Sequence, residues 1–315
     1  MDTRLAREKG SIKKDWGGKI PVALVYPSHY RVGMSNLGFQ RVYWLFNRRP
    51  DTVAERFFLP EDPGAFCPME GAGGLGNETS LRQETGFQPV GLPARRAGLK
   101  SRAILSIESK KSLRDFSLVA FSLSFENDYP NILKLLDLGG IPLLSEERKE
   151  NFPLVCAGGV TTFLNPEPIA DLMDFFLLGE AEELIDPFMD LFKELARERL
   201  AREVLLGEIA KCLEFVYVPR FYNISYGKDG KIESFEPARP QVPAKIKVKR
   251  GDLGRGAIST IVSHEVSFPD TVLVEVGRGC GRGCRFCAAG FVYRPPRSIE
   301  ASSLLDMING ALSKA

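Results

Sequence analysis

Residues 117–142 read SLVAFSLSFENDYPNILKLLDLGGIP. Ser117 to Ser124 is nearly all apolar, which suits a strand buried on both faces. Tyr129 to Leu138 then sets Ile132, Leu135, Leu136 and Leu138 on a helical pattern, and Gly139-Gly140 stops the helix. A buried strand that passes into a helix, with another buried strand after it, is the unit of a parallel sheet, because parallel strands need a crossover. The unit recurs on both sides. Pro153 to Ala157 is the next strand, ended by Gly158-Gly159. Asp174 to Leu178 is another, ended by Gly179-Glu180 before a long helix to about Arg197. Upstream, Ile20 to Tyr26 is a buried strand closed by Pro27. Leu37, Val42, Leu45 and Phe46 follow near helical spacing, and Val53 to Leu59 is a weaker strand candidate. Pro63, Pro68, Gly71, Gly73, Gly74, Gly76, Pro89 and Pro93 break any periodicity, and order returns at Ala103 to Ile107. The expected fold class is α/β: a doubly wound, Rossmann-like domain over residues 18–195, after an N-terminal extension 1–17 and with an irregular insertion at about 61–100.

From residue 196 the pattern changes, and 196–265 reads as a connecting region. Leu205 to Leu213 looks helical, and Phe221 to Phe235 forms a hairpin turning at Asp229-Gly230. Pro237, Pro240 and Pro243 open a linker whose Lys245, Lys247, Lys249 and Arg250 read as a solvated charge run. Thr271 to Val276 is a fresh buried strand, and Ile299 to Leu312 is the helix that follows. A second domain is expected over 266–315.

The 315 residues carry 42 basic and 40 acidic side chains, a formal net charge of +2. That balance leaves nucleic-acid binding undetermined, because a local basic patch can sit inside a neutral total. No apolar run approaches the ~18 residues of a membrane span. Arg4, Lys9, Lys13 and Lys14 have no apolar core behind them, so the N-terminus does not read as a secretory signal. A cytoplasmic protein is expected, in a compartment that keeps thiols reduced. Cys67, Cys156 and Cys212 are scattered and read as inert thiols.

The other three cysteines lie in VLVEVGRGCGRGCRFCAAGFVYRPPR, residues 272–297. Cys280, Cys284 and Cys287 are spaced CxxxCxxC, after a strand and before a helix. Three thiolates suit a 4Fe–4S cluster with one iron free of protein ligands. Gly277, Gly279, Gly281 and Gly283 permit a tight wrap, and Arg278, Arg282 and Arg285 would offset cluster charge. A structural zinc site wants a fourth ligand, for which His264 is the distant candidate. A redox pair of Cys284 and Cys287 leaves Cys280 unexplained.

This loop, with Phe286 before its last cysteine, resembles the signature of the radical SAM superfamily. The resemblance implies that Cys280, Cys284 and Cys287 each bind one iron, with S-adenosylmethionine held on the free iron and its adenine beside Phe286. Reductive cleavage would yield a 5′-deoxyadenosyl radical, with the electron from a donor such as flavodoxin or ferredoxin. The stretches 22–38, 120–142 and 157–183 are similar to a subgroup with a cobalamin (B12)-binding-like domain in front of a partial TIM barrel. There Ser122, Leu123, Gly158 and Gly159 would approach the nucleotide tail of cobalamin. The DxHxxG motif that supplies a histidine to cobalt is absent, and neither His29 nor His264 stands in that context. Cobalamin, if bound, would lack a histidine ligand, and a front domain that only shapes substrate access is the preferred reading.

Within this family the chain looks like the N-terminal portion, holding the first β/α unit of the barrel. It is expected to need more chain or a second polypeptide for catalysis. The rival reading is a non-catalytic iron–sulfur or zinc-binding module. His29 reads as a solvated loop histidine, Glu180 and Glu182 as residues that suit a helix dipole, and Asp128 as a helix cap.

Overall fold

The computed structural model describes residues 3–61, 104–254 and 256–312. Cys67 and nearly all of the 61–100 insertion lie outside the described residues. In chain order the elements are α1 (Thr3–Arg7), β1 (Ile20–His29), α2 (Tyr30–Met34), α3 (Leu37–Arg48), β2 (Thr52–Leu59), β3 (Leu118–Ser122), α4 (Tyr129–Leu138), β4 (Leu154–Gly158), α5 (Val160–Leu164), β5 (Phe175–Leu177), α6 (Ala181–Arg197), α7 (Arg202–Cys212), β6 (Val216–Tyr217), β7 (Tyr222–Tyr226), β8 (Ile232–Pro237), β9 (Gly277–Arg278), α8 (Ala289–Val292), β10 (Arg297–Ser298) and α9 (Ala301–Leu312).

The fold is α/β around a mostly parallel sheet in the order β2-β1-β3-β4-β5-β6. Every pairing is parallel except that of β6, which closes the far edge antiparallel to β5. Successive strands run outward on both sides of β1 and β3, so the strand order reverses between them. Ligands of open α/β sheets bind at the carboxyl end of such a switch point. The central strands are apolar, with Val22 to Val25, Leu118, Val119 and Val155 all inaccessible to solvent. Helices α3 and α6 pack against each other on one face, tied by Arg49 at the end of α3 to Asp186 and Asp190 of α6.

Strand β2 is less marginal than its sequence suggests. Its polar pair Glu55 and Arg56 is buried because the N-terminal extension folds over it. Arg56 Nη2 meets Glu8 at 2.7 Å and its Nε meets Glu108 at 2.6 Å, all three nearly inaccessible. Trp16 Nε1 donates to Glu55 at 2.7 Å, and Lys14 donates to the carbonyls of Asn47, Arg49 and Thr52. Buried charges of this kind persist only when paired.

Several expectations need correction. Thr271 to Val276 is not a buried strand: only Val274 makes a bridge, antiparallel to Ile258, and Val276 is 66% exposed. Its apolar residues find no second sheet layer among the described residues, where its backbone bonds to the 257–259 segment and, at Val276, to Ile299. Ala103 to Ile107 contributes an isolated bridge from Leu105 to Ser112. Asp128 holds the N-cap position of α4, yet its side chain makes no capping bond. The basic run is not free linker, since Lys249 joins the sheet edge beside Gly179 and Lys247 pairs with Glu214. Strands β7 and β8 form the expected hairpin.

At the amino end of β5, Asp174 is fully buried among guanidinium groups. Arg202 Nη2 lies 2.6 Å away, Arg148 Nη1 3.2 Å and Arg220 Nη2 3.5 Å. Burial, outweighing Asp174, pulls Arg148 down to about 10. Removing the carboxylate that Arg148 and Arg202 share strands buried positive charge, a loss of about 3–5 kcal/mol. Asp174→Ala is therefore expected to lose that much stability in urea unfolding at neutral pH. A loss under ~1 kcal/mol would contradict the pairing.

Candidate active site at the cysteine loop

The loop is built on a short base. Gly277 and Arg278 of β9 pair antiparallel with Ser298 and Arg297 of β10, and residues 279–296 bulge out between them. Gly279 sits at φ +87°, where a Cβ would come within 2.2 Å of the Tyr293 carbonyl oxygen, so only glycine closes the loop there. Gly277, Gly281 and Gly283 do not occupy the left-handed region.

Within the loop, Cys280 and Cys284 are exposed and Cys287 is half-buried. Cys280 Sγ accepts the Arg282 N–H and Cys287 Sγ accepts the Gly290 N–H, each at 3.4 Å. Cys287 N–H donates to the Cys284 carbonyl at 3.1 Å, which turns the chain between them. Phe286 is 91% exposed. Among the described residues no three His, Cys, Asp or Glu side chains converge as a metal site. The donor set nonetheless fits an iron–sulfur cluster: three reachable thiols on one loop, two already accepting backbone N–H bonds of the kind that tune cluster sulfurs. His264 stands on an exposed turn, its Nδ1 2.9 Å from Asp270. His29 is exposed at the end of β1, its Nδ1 3.3 Å from the Leu59 carbonyl.

The base of the loop is fastened to the sheet by charge. Arg278 Nε meets Glu275 at 2.8 Å, its Nη2 meets Glu182 at 3.1 Å and its Nη1 meets Glu180 at 3.3 Å. Arg297 doubles on Glu180, and Arg41 of α3 reaches Glu182 at 3.2 Å. Burial alone would raise the Glu182 carboxyl, but Arg278 and Arg41 hold it below the usual carboxylate range. Burial likewise opposes the charge on Arg278, and Glu275 and Glu182 overcome it and raise its pKa. Arg278 is thus committed to carboxylates rather than to offsetting cluster charge. Arg282 and Arg285 remain exposed. Glu180 and Glu182, which read in sequence as helix-dipole residues, are the anchors of the loop. Their one legible signal is position: two carboxylates just past the carboxyl end of a parallel strand.

Beneath this fastening lies a cavity of about 520 Å³ between β1, β3, β4, α3 and α6. Ser122, Gly158 and Gly159 line it, as do Arg278 and Tyr293 from the cysteine loop. Leu123 does not; it is wholly buried. Gly159, at φ +115°, would drive a Cβ to 2.2 Å from the Leu123 carbonyl oxygen.

Residues 77–219 match the family model described as radical SAM proteins, N-terminal. That match takes in 143 of the 315 residues and supports the likeness to the radical SAM superfamily. The matched region ends well before Cys280, so the family match and the cysteine motif are separate observations on one chain. It is also 27% identical over 201 residues to an uncharacterized protein of Methanocaldococcus jannaschii. That match takes in 63% of this chain and 36% of the relative, so the chain spans about a third of the length of that relative. No solved structure matches the chain. No helix among the described residues is long and apolar enough to cross a membrane.

If Arg278 fastens the cysteine loop, Arg278→Ala should free it. Amide hydrogen exchange across 277–298 is expected to accelerate at least tenfold, with exchange in β1, β3 and β4 unchanged. Equal protection in the variant would show that the ion pairs do not hold the loop.

Proposed function

We propose that this chain supplies the catalytic iron–sulfur centre of a radical SAM enzyme, with a 4Fe–4S cluster on Cys280, Cys284 and Cys287. The observation that carries this reading is the set of three thiols on one glycine-closed loop, in a chain whose residues 77–219 match the model for radical SAM N-terminal regions. When bound, the cluster supplies one electron to S-adenosylmethionine, the step that in this family yields a 5′-deoxyadenosyl radical. The chain's own residues prepare the place. The three thiols lose their protons on ligation, which their access to solvent allows. The N–H groups of Arg282 and Gly290 stabilise charge on two of the sulfurs. Phe286, beside Cys287 and almost fully exposed, offers a ring face to the adenine, as the resemblance implies. The exposed rim of the loop gives a one-electron donor such as flavodoxin or ferredoxin a surface to approach.

Cobalamin fits less well. The histidine at the end of β1 is not set in a DxHxxG context, and the cysteine loop contributes to the wall of the front cavity where a corrin would need open space. No step is assigned to it.

Anaerobic reconstitution of the 315-residue chain tests the centre. About four iron and four sulfide per chain are expected. Cys280→Ala, Cys284→Ala and Cys287→Ala should each lose most of that iron, while Cys156→Ala and Cys212→Ala should keep it. Full iron content in Cys284→Ala would overturn the assignment.

A further inference from the structure

The cavity at the switch point exists because of side-chain size. Strands β1, β3 and β4 run in register, with Leu24 beside Ala120, Ala120 beside Cys156, and Ser122 beside Gly158. Residues two apart on a strand share a face, and registered neighbours share it too. Ala120, Ser122, Cys156 and Gly158 therefore form a two-by-two block of small residues in the middle of one sheet face. Larger residues surround the block: Leu24, Leu177, and Val42 and Phe46 of α3 with Leu184 and Ile185 of α6 above it. Helices that pack directly on a sheet need bulky side chains to fill the layer between. Here four consecutive choices leave it empty, and the hole of about 520 Å³ lies within the range of small-molecule sites.

The chemistry of the walls selects the occupant. The charged groups at the rim pair among themselves, Glu180, Glu182 and Glu275 with Arg41, Arg278 and Arg297, so no net charge faces inward. The Cys156 thiol is held protonated, its pKa raised by burial and by Asp174. The Ser122 hydroxyl lines the cavity with no hydrogen-bond partner among the described residues, which leaves a donor and an acceptor at one wall. We propose that this cavity is a binding site for one compact, uncharged and largely apolar molecule carrying a hydrogen-bonding group for Ser122. Binding does not rest on the iron–sulfur reading, because the walls come mainly from β1, β3, β4, α3 and α6.

The neutral dye Nile red, which carries a carbonyl acceptor, is a suitable probe for iron-free chain. It is expected to bind one per chain with blue-shifted emission, and the similarly sized anion 1-anilinonaphthalene-8-sulfonate at least tenfold more weakly. Ala120→Leu fills the block and should weaken Nile red at least tenfold. Gly158→Ala is the milder variant: its new Cβ would meet nothing nearer than the Leu177 carbonyl oxygen at 3.5 Å, so it should fold and still weaken the dye several-fold. Unchanged dye affinity in Gly158→Ala, whether or not Ala120→Leu folds, would overturn the proposal. So would tighter binding of the anion, or tight binding of hydroxocobalamin that Ala120→Leu abolishes, since a corrinoid is neither compact nor uncharged. Iron loading of the same variants is expected to be normal, so a failed cavity would leave the cluster assignment standing.

Discussion

The Arg278 guanidinium, shared by Glu180, Glu182 and Glu275, is the contact on which the functional end of the molecule depends. Two of those carboxylates stand at the start of α6, directly after β5, and the third belongs to the segment that delivers the chain to the cysteines. A loop whose residues 279–286 are all exposed has little apolar surface of its own to bury, so it cannot be positioned by packing alone. Charge at a partly dry interface does that work here, because every carboxylate in the cluster is matched by a guanidinium. Arg41 and Arg297 complete the match and extend it to α3 and β10.

The consequence is a single layout in which two features meet. The parallel sheet reverses strand order between β1 and β3, which opens a crevice at its carboxyl edge. The same carboxyl edge carries Gly179 and Glu180, and these receive both the sheet-edge residue Lys249 and the base of the cysteine loop. Tyr293 and Arg278 thereby become walls of the front cavity rather than parts of a separate lobe. A ligand in that cavity would touch the base of the loop that holds the thiols.

Much of the sheet was legible in the chain because most of its strands are continuous apolar runs, the trace that buried parallel strands leave. Gly158-Gly159 and Gly139-Gly140 mark real ends. Strand β2 looked weak because Glu55 and Arg56 interrupt it; the compensating Glu8, Trp16 and Glu108 lie far away in sequence, where no local pattern points to them. Thr271 to Val276 misled in the other direction. Its composition is that of a buried strand, but strand formation needs neighbours to take its backbone hydrogen bonds, and composition does not reveal neighbours. At the site, the three cysteines and Phe286 were readable from spacing. The anchors were not, since Glu180 and Arg278 are almost a hundred residues apart and each has an innocent local explanation. The small-residue block was hidden for the same reason: Ala120, Ser122, Cys156 and Gly158 become one feature only when the strand register is known.

The central claim is that three thiolates hold a cluster with one iron left for S-adenosylmethionine. The most direct test is the electron paramagnetic resonance spectrum of the reduced, reconstituted chain before and after adding S-adenosylmethionine. The account predicts a reduced 4Fe–4S signal that shifts on addition, because the amino and carboxylate groups take up the open iron position. A signal identical with and without S-adenosylmethionine, at full iron content, would contradict it.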